Sequence, residues 1–177
     1  ASVAENHLVL RSIGKDPAET AVIAKWNTLA APMAARIVGS HVEDILGDSN
    51  GNRGIETPMA DLVADAWLYG TASAANGGAQ IAFQNVGGTR ASFRVNSTPN
   101  GEQPGQITYA EAYTVVPFSN VMVTIDLTGD QLRQALEQQF VPTRGRQYLA
   151  LGVSAGFSYA WDALAPQGSK AVSYTHL

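Results

Sequence analysis

Short apolar runs and segments with helical spacing take turns along this chain. "DPAETAVIAKWNTLA" places Asp16 as N-cap, Pro17 at the first helical position and Glu19 at the third, a strong helix start. Pro32 is expected to end or kink that helix, since it lacks an N–H and its ring crowds the preceding turn. "ARIVGSHVEDIL" then reads as extended. "ETPMADLVADAWLYGTA" predicts a second helix, capped by Thr57 with Pro58 just inside and with Leu62, Ala66 and Tyr69 on its buried stripe.

The second half alternates faster. "AQIAFQ" predicts a short strand, and "TYAEAYTVV" opens on a capping box of Thr108 and Glu111. "VMVTIDL" is the clearest strand pattern, with Val121, Val123, Ile125 and Leu127 on one face. "TGDQLRQALEQQF" predicts another capped helix, with Leu132 and Leu136 four apart. "YLALGVS", "GFSYAWD" and "KAVSYTHL" read as closing strands. Strands mixed with helices of moderate length predict an α+β fold with α/β-type layers, a mixed sheet packed against helices, in a single domain over 1–177.

Composition narrows the partners. Hydrophobic residues make up 45% of the chain, which suits a globular protein, and charged residues 15%, which is on the low side. The net charge of −4, with 11 Lys and Arg in all, argues against a nucleic-acid polymer as partner unless those residues cluster. It leaves room for a small anion held by two or three local arginines. The absence of cysteine removes disulfides, thiolate metal sites and a Cys nucleophile. No run of 18 apolar residues predicts a membrane span. "ASVAENHLVLRS" is no signal peptide, which locates nothing, because a mature chain would lack one too.

The chemistry-bearing residues are few. His7, His41 and His176 are scattered without metal-ligand spacing, and no Ser sits in a G-x-S-x-G elbow. Asp16, Glu19 and Glu111 belong to helix caps. No catalytic residue and no metal ligand is expected. Three stretches stand out. In "FQNVGGTR", Gly87 and Gly88 let backbone approach a ligand and expose N–H groups to an anion, and Arg90 adds a fork of donors matched to phosphate or carboxylate. Asn85 either holds the turn or donates to the ligand. Taken alone, the motif equally describes a tight turn with Arg90 on the surface. In "VVPFSNVMV", Phe118 is either core or a flat face for a base or sugar. In "GNRGIETPMADLVAD", Arg53 precedes a helix N-terminus, where phosphates bind well, or is a free surface Arg.

The order of these stretches is distinctive. "RGIETPMADLVADA", "NVGGTR", "ITYAEAYTVVPFSN" and "VTIDLTGDQLRQALE" together resemble the C-terminal domain of the 5'-nucleotidase / UDP-sugar hydrolase family, over roughly Asp16 to Asp162. The resemblance implies a substrate-binding domain beside a separate N-terminal metallophosphatase domain that holds two divalent metal ions and performs the hydrolysis. It implies that Arg53, Asn85 and Arg90, on the Gly87–Gly88 turn, grip the phosphate and that Phe118 stacks on the nucleobase. These residues would then line one concave site. It implies a nucleotide partner and a periplasmic or cell-surface setting. The family's later "G-G-D-G-F" turn, with a second stacking Phe and an Asp for the ribose, has no counterpart here, so the domain is expected to be truncated at its C-terminal end. A chain lacking the metallophosphatase domain is expected to be inactive alone, and a non-catalytic nucleotide-binding or cell-surface module is the rival reading.

Overall fold

The structure, a computed structural model, describes residues 4–8, 10–47 and 51–176. Leu177, the end of the last expected strand, lies outside them. Among the described residues, four α-helices and six short strands follow in the order α1 (Pro17–Ala34), β1 (Ile37–Ser40), α2 (Pro58–Thr71), β2 (Phe83–Asn85), β3 (Gln106–Thr108), α3 (Tyr109–Val115), α4 (Gly129–Glu137), β4 (Leu151–Val153), β5 (Phe157–Trp161) and β6 (Ala171–His176). The α+β class holds. Among the described residues the sheet is divided into small ones: the strands pair as three two-stranded antiparallel ladders, β1 with β3, β2 with β4 and β5 with β6.

The caps form as the sequence predicts. Asp16 accepts from the amides of Ala18 at 2.8 Å and Glu19 at 3.1 Å. Thr57 accepts from Ala60 at 3.3 Å. Thr108 with Glu111, and Thr128 with Gln131, close reciprocal capping boxes. Each satisfies amide donors that a helix start leaves orphaned. Pro32 does not end α1, which runs two residues further to Ala34. Ala35 N–H still reaches Ala31 O at 2.9 Å, so the last turn closes around the bond that Pro32 cannot make.

Two buried clusters form the core. Met59, Val63, Phe93 and Val115 make one, with Trp67, Ile107 and Ala112 packed against it. Leu136, Phe157 and Ala171 make the other, with Phe83, Leu132 and Val153 alongside. Glu137 ties α4 to β6 by accepting from Ala171 N at 2.6 Å and Gly168 N at 3.1 Å.

The buried face of α2 is not the expected one. Met59, Ala60, Val63 and Ala64 are buried, whereas Leu62, Ala66 and Tyr69 face solvent, Tyr69 at 90% exposure. Nearly every face of α2 carries apolar residues, so periodicity alone does not choose, and the close fit to β4 does. A Cβ on Gly152 would lie 2.4 Å from the backbone carbon of Ala60, so helix and strand touch where both side chains are small or absent. Two carboxylates fasten the contact: Asp61 accepts from Val153 N at 3.1 Å and Asp65 from Ala155 N at 2.6 Å.

The segment 121–127 is a second correction. It forms no strand: it has no ladder partner among the described residues, and Val121, Val123 and Ile125 are 86%, 76% and 69% exposed. Alternation gives a segment the capacity to be a strand, but a strand exists only where another backbone pairs with it. The N-terminal helix is equally uncovered. Val22, Ile23, Trp26, Leu29 and Met33 of α1 are all more than half exposed.

Three outcomes follow from this packing. Gly152→Ala forces helix and strand apart, a loss of about 1–3 kcal/mol typical of overpacking, and lowers Tm by several degrees in a calorimetric scan. The double substitution Val123→Lys, Ile125→Lys raises the concentration at which the chain stays clear, read by light scattering, with no fall in Tm, because neither side chain is packed. The third concerns pH. Glu56 and Asp61 stand close together at the start of α2. Loss of hydration foremost, then the Asp61 charge and hydrogen bond, push Glu56 up from 4.5 to about 7. Asp61 is raised as well, by burial first, against the lowering effect of the Val153 amide. In this window the folded chain binds more protons than the unfolded one, so stability is greatest below about pH 4.5 for this group and falls as pH rises through about 7. Urea melts at pH 5 and pH 7.5 should show the decline, and Glu56→Gln should flatten it; an unchanged slope in that variant would remove Glu56 as its source.

Candidate functional site

The site begins with the α2–β4 contact. β2 pairs with β4 in the register Phe83↔Val153, Gln84↔Gly152 and Asn85↔Leu151, which fixes where the Asn-Val-Gly-Gly turn emerges. Ala150 N–H donates to Arg53 O at 2.7 Å, which holds the segment before α2 against the start of β4. Arg53 and the turn are thus set by the same strand.

Asn85 is the N-cap of a 3₁₀ turn over Val86–Gly88, and its Oδ1 accepts from Gly87 N at 2.9 Å. That corrects one expectation: the Gly87 N–H is spent on Asn85 and is not open to an anion. Asn85 holds the turn with its oxygen, which leaves the Nδ2 group as its donor. Neither Gly87 nor Gly88 has a left-handed backbone. Their need is space, since a Cβ on Gly87 would meet Asn85 Oδ1 at 3.2 Å and Arg53 Cδ at 3.7 Å. Beneath the turn, Trp67 Nε1 donates to Gln84 Oε1 at 2.9 Å.

Arg90 is held at both ends. Its amide donates to Val115 O at 2.8 Å, and its guanidinium donates to Gly87 O at 3.3 Å. The same guanidinium stands 6.0 Å from the centre of the Phe118 ring, the outer range of a cation–π contact. Phe118 is 52% exposed and so is not core. Ser119, next to it, has φ 52°, a left-handed backbone that a non-glycine residue seldom adopts, and the chain turns there as it leaves Phe118.

Two cavities lie beside the turn, with no lining residue in common. Arg53 and Arg90 both line a cavity of about 320 Å³, with Thr89, Ser92 and Arg94. Gly88 and Phe118 line a larger one of about 780 Å³, with Trp67, Gln84 and Asn120. Arg53 and Arg90 thus share one cavity and Phe118 lies on the other, beside Arg90, while Asn85 and Gly87, next to each other and near Arg53, line neither. Sequence reading passes over Thr89, Ser92 and Arg94. The visible signal is that Arg94 lies four residues beyond Arg90, but no local rule places the two on one cavity.

Metal chemistry has no donor set here: among the described residues no group of three or more His, Cys, Asp or Glu could hold an ion. His41 Nδ1 lies 2.7 Å from Glu43 O, and His176 Nε2 lies 3.0 Å from Gln80 O. No described helix is long and apolar enough to cross a membrane.

Known proteins are similar to this chain in sequence and fold. The "5'-nucleotidase, C-terminal domain" family matches residues 37–176, so α1 lies outside the matched span. Over 150 residues, 85% of this chain, the sequence is 30% identical to Endonuclease YhcR of Bacillus subtilis (strain 168). It is 27% identical over 136 residues, 74% of this chain, to the cell wall protein Lmo0130 of Listeria monocytogenes. A solved 5'-nucleotidase precursor from Thermus thermophilus matches 89% of the chain at 32% identity, with a TM-score of 0.66. The chain spans 11% and 17% of the length of those two relatives and 28% of that solved chain, so each match is to one part of a larger protein. With its matched span covering most of its length, the chain belongs to the 5'-nucleotidase C-terminal domain family.

Proposed function

We propose that this domain is the nucleotide-binding part of a metal-dependent phosphohydrolase. Arg53, the Asn85 amide and Arg90 hold the phosphate, and Phe118 offers one face to the base. The reading rests chiefly on one observation: Arg53 and Arg90 share a cavity, and the Arg90 guanidinium lies 6.0 Å from the Phe118 ring, so an anion grip adjoins a flat aromatic face. Charge-assisted hydrogen bonds contribute about 1.5–3 kcal/mol each and one stacked base about 1–3 kcal/mol, enough for weak, selective binding. Hydrolysis would belong to a separate metallophosphatase domain with two divalent ions, because the described residues of this chain supply no such ligand set. A periplasmic or cell-surface setting suits the reading.

The likeness to a cell wall protein favours one rival, a surface module that binds a nucleotide without cleaving it. A D-x-H and N-H-[ED] metal pattern in the upstream coding sequence would decide for the enzyme. Nuclease action on a polymer draws little support from the endonuclease relative, since the shared part is 11% of that protein and this chain carries a net charge of −4.

Titration calorimetry tests the binding. AMP should bind in about the millimolar range and adenosine more weakly, since the arginines then have no anion to hold. Arg90→Ala should weaken AMP on the order of tenfold or more, and Phe118→Ala should weaken AMP and adenosine alike. AMP binding no tighter than adenosine would end the assignment of the arginines. The chain should release no phosphate from AMP with Mn²⁺, Co²⁺ or Zn²⁺; release abolished by Arg90→Ala would mean that the active site lies within this domain.

A further inference from the structure

Residues 121–127 leave a length of backbone open. The chain runs from Asn120 to Thr128 without a turn or bend, and among the described residues no N–H or C=O of 121–127 has a hydrogen-bond partner. Its side chains do alternate. Met122 and Thr124 turn toward the body of the domain. The Met122 Cε lies 3.7 Å from where a Cβ on Gly70 would stand, and a Cβ on Gly77 would collide with the Thr124 side chain. Val121, Val123, Ile125 and Leu127 therefore take the opposite face, and all four are exposed. A straight, alternating segment with free amides and carbonyls is a template for a strand of another chain.

We propose that this edge pairs with the same edge of a second copy of the chain, antiparallel about a two-fold axis at Thr124. The inference is independent of the reading of Arg53 and Arg90. The segment is complementary to itself in this register. With Thr124 opposite Thr124, all seven residues overlap: Val121 faces Leu127 of the second copy, Val123 faces Ile125 and Met122 faces Asp126. The apolar rows of the two copies then join into one face. Asp126 is the one charged residue in the segment, and this register keeps the two Asp126 carboxylates four residues apart, about 14 Å along the ribbon. Centring on Asp126 would set like charges directly opposite, which is unfavourable. Centring on any other residue leaves an end unpaired. A net charge of −4 per chain adds only mild repulsion between copies. A standard interface buries about 800 Å² on each side, and a seven-residue ladder buries less, so the association is weak. It is also closed: each copy spends its edge on the other, and growth stops at two.

Sedimentation equilibrium from about 10 µM to about 1 mM tests the proposal, since a contact of this size dissociates in that span. The mass should rise with concentration toward that of two chains and no further. The double substitution Val123→Lys, Ile125→Lys sets like charges opposite each other across the pair and should weaken it at least about tenfold. In dilute solution, where the single chain dominates, its Tm should equal that of the unmodified chain. Two single variants read the register. Val123→Glu mixed with Ile125→Lys places opposite charges face to face, and the mixture should pair more tightly than either variant alone. The chain has no cysteine, so Thr124→Cys carries one thiol, which meets its own copy across the axis and should give a covalent dimer on mild oxidation. Val121→Cys sets the two thiols about 20 Å apart and should not. A single chain mass at about 1 mM would overturn the proposal, because no second copy then covers the edge. Mass that grows past two copies, or equal cross-linking at 121 and 124, would overturn it as well and would mean open aggregation through the apolar face.

Discussion

Everything near the candidate site hangs on the contact between α2 and β4. Ala60 and Gly152 let the helix lie directly on the strand, and Asp61 and Asp65 accept from the amides of Val153 and Ala155. These bonds satisfy donors on the strand that no second ladder covers. The contact reaches the site twice. Arg53 lies just ahead of α2 and is fastened by Ala150 at the start of β4, and the Asn85 turn leaves β2, the ladder partner of β4. Two arginines far apart in sequence thus inherit their separation from one helix–strand interface. The raised Glu56 carboxyl sits at the same helix start.

The turn shows how a motif can be right in composition and different in detail. Two glycines beside an Asn suggest open amides that cradle an anion. In the structure Asn85 takes the Gly87 amide for itself, and the gain is rigidity: a capped 3₁₀ turn that presents Arg90 at a fixed place. Arg90 is then held by Gly87 O on one side and faces Phe118 on the other. A side chain fixed in this way loses less rotamer freedom on meeting a ligand than a free surface arginine would.

Two segments are well formed or well patterned yet uncovered. The α1 helix has a strong cap and an apolar set that no described residue buries, and 121–127 has strand alternation without a ladder. In both, the residues state a local preference that tertiary contacts among the described residues do not answer. A helix closes its backbone hydrogen bonds within itself, and a cap satisfies the amides left over at its start. A strand cannot form alone, because its bonds are to a neighbour. That difference explains why one expectation holds and the other fails.

What the sequence determined by itself is what closes within a few residues. The starts at Asp16, Thr57, Thr108 and Thr128 are satisfied three positions on or nearer, and the turn at Asn85 within two. The order of the motifs carries the family. Tertiary structure alone decided which side of α2 is buried, because apolar residues surround that helix and only the fit of Ala60 to Gly152 selects a face. It likewise decided that Arg53, Arg90 and Arg94 share a cavity, and that the best strand pattern stays unpaired among the described residues. Those outcomes depend on partners tens of residues away, and hydrophobic periodicity names no partner; it records only that one is wanted.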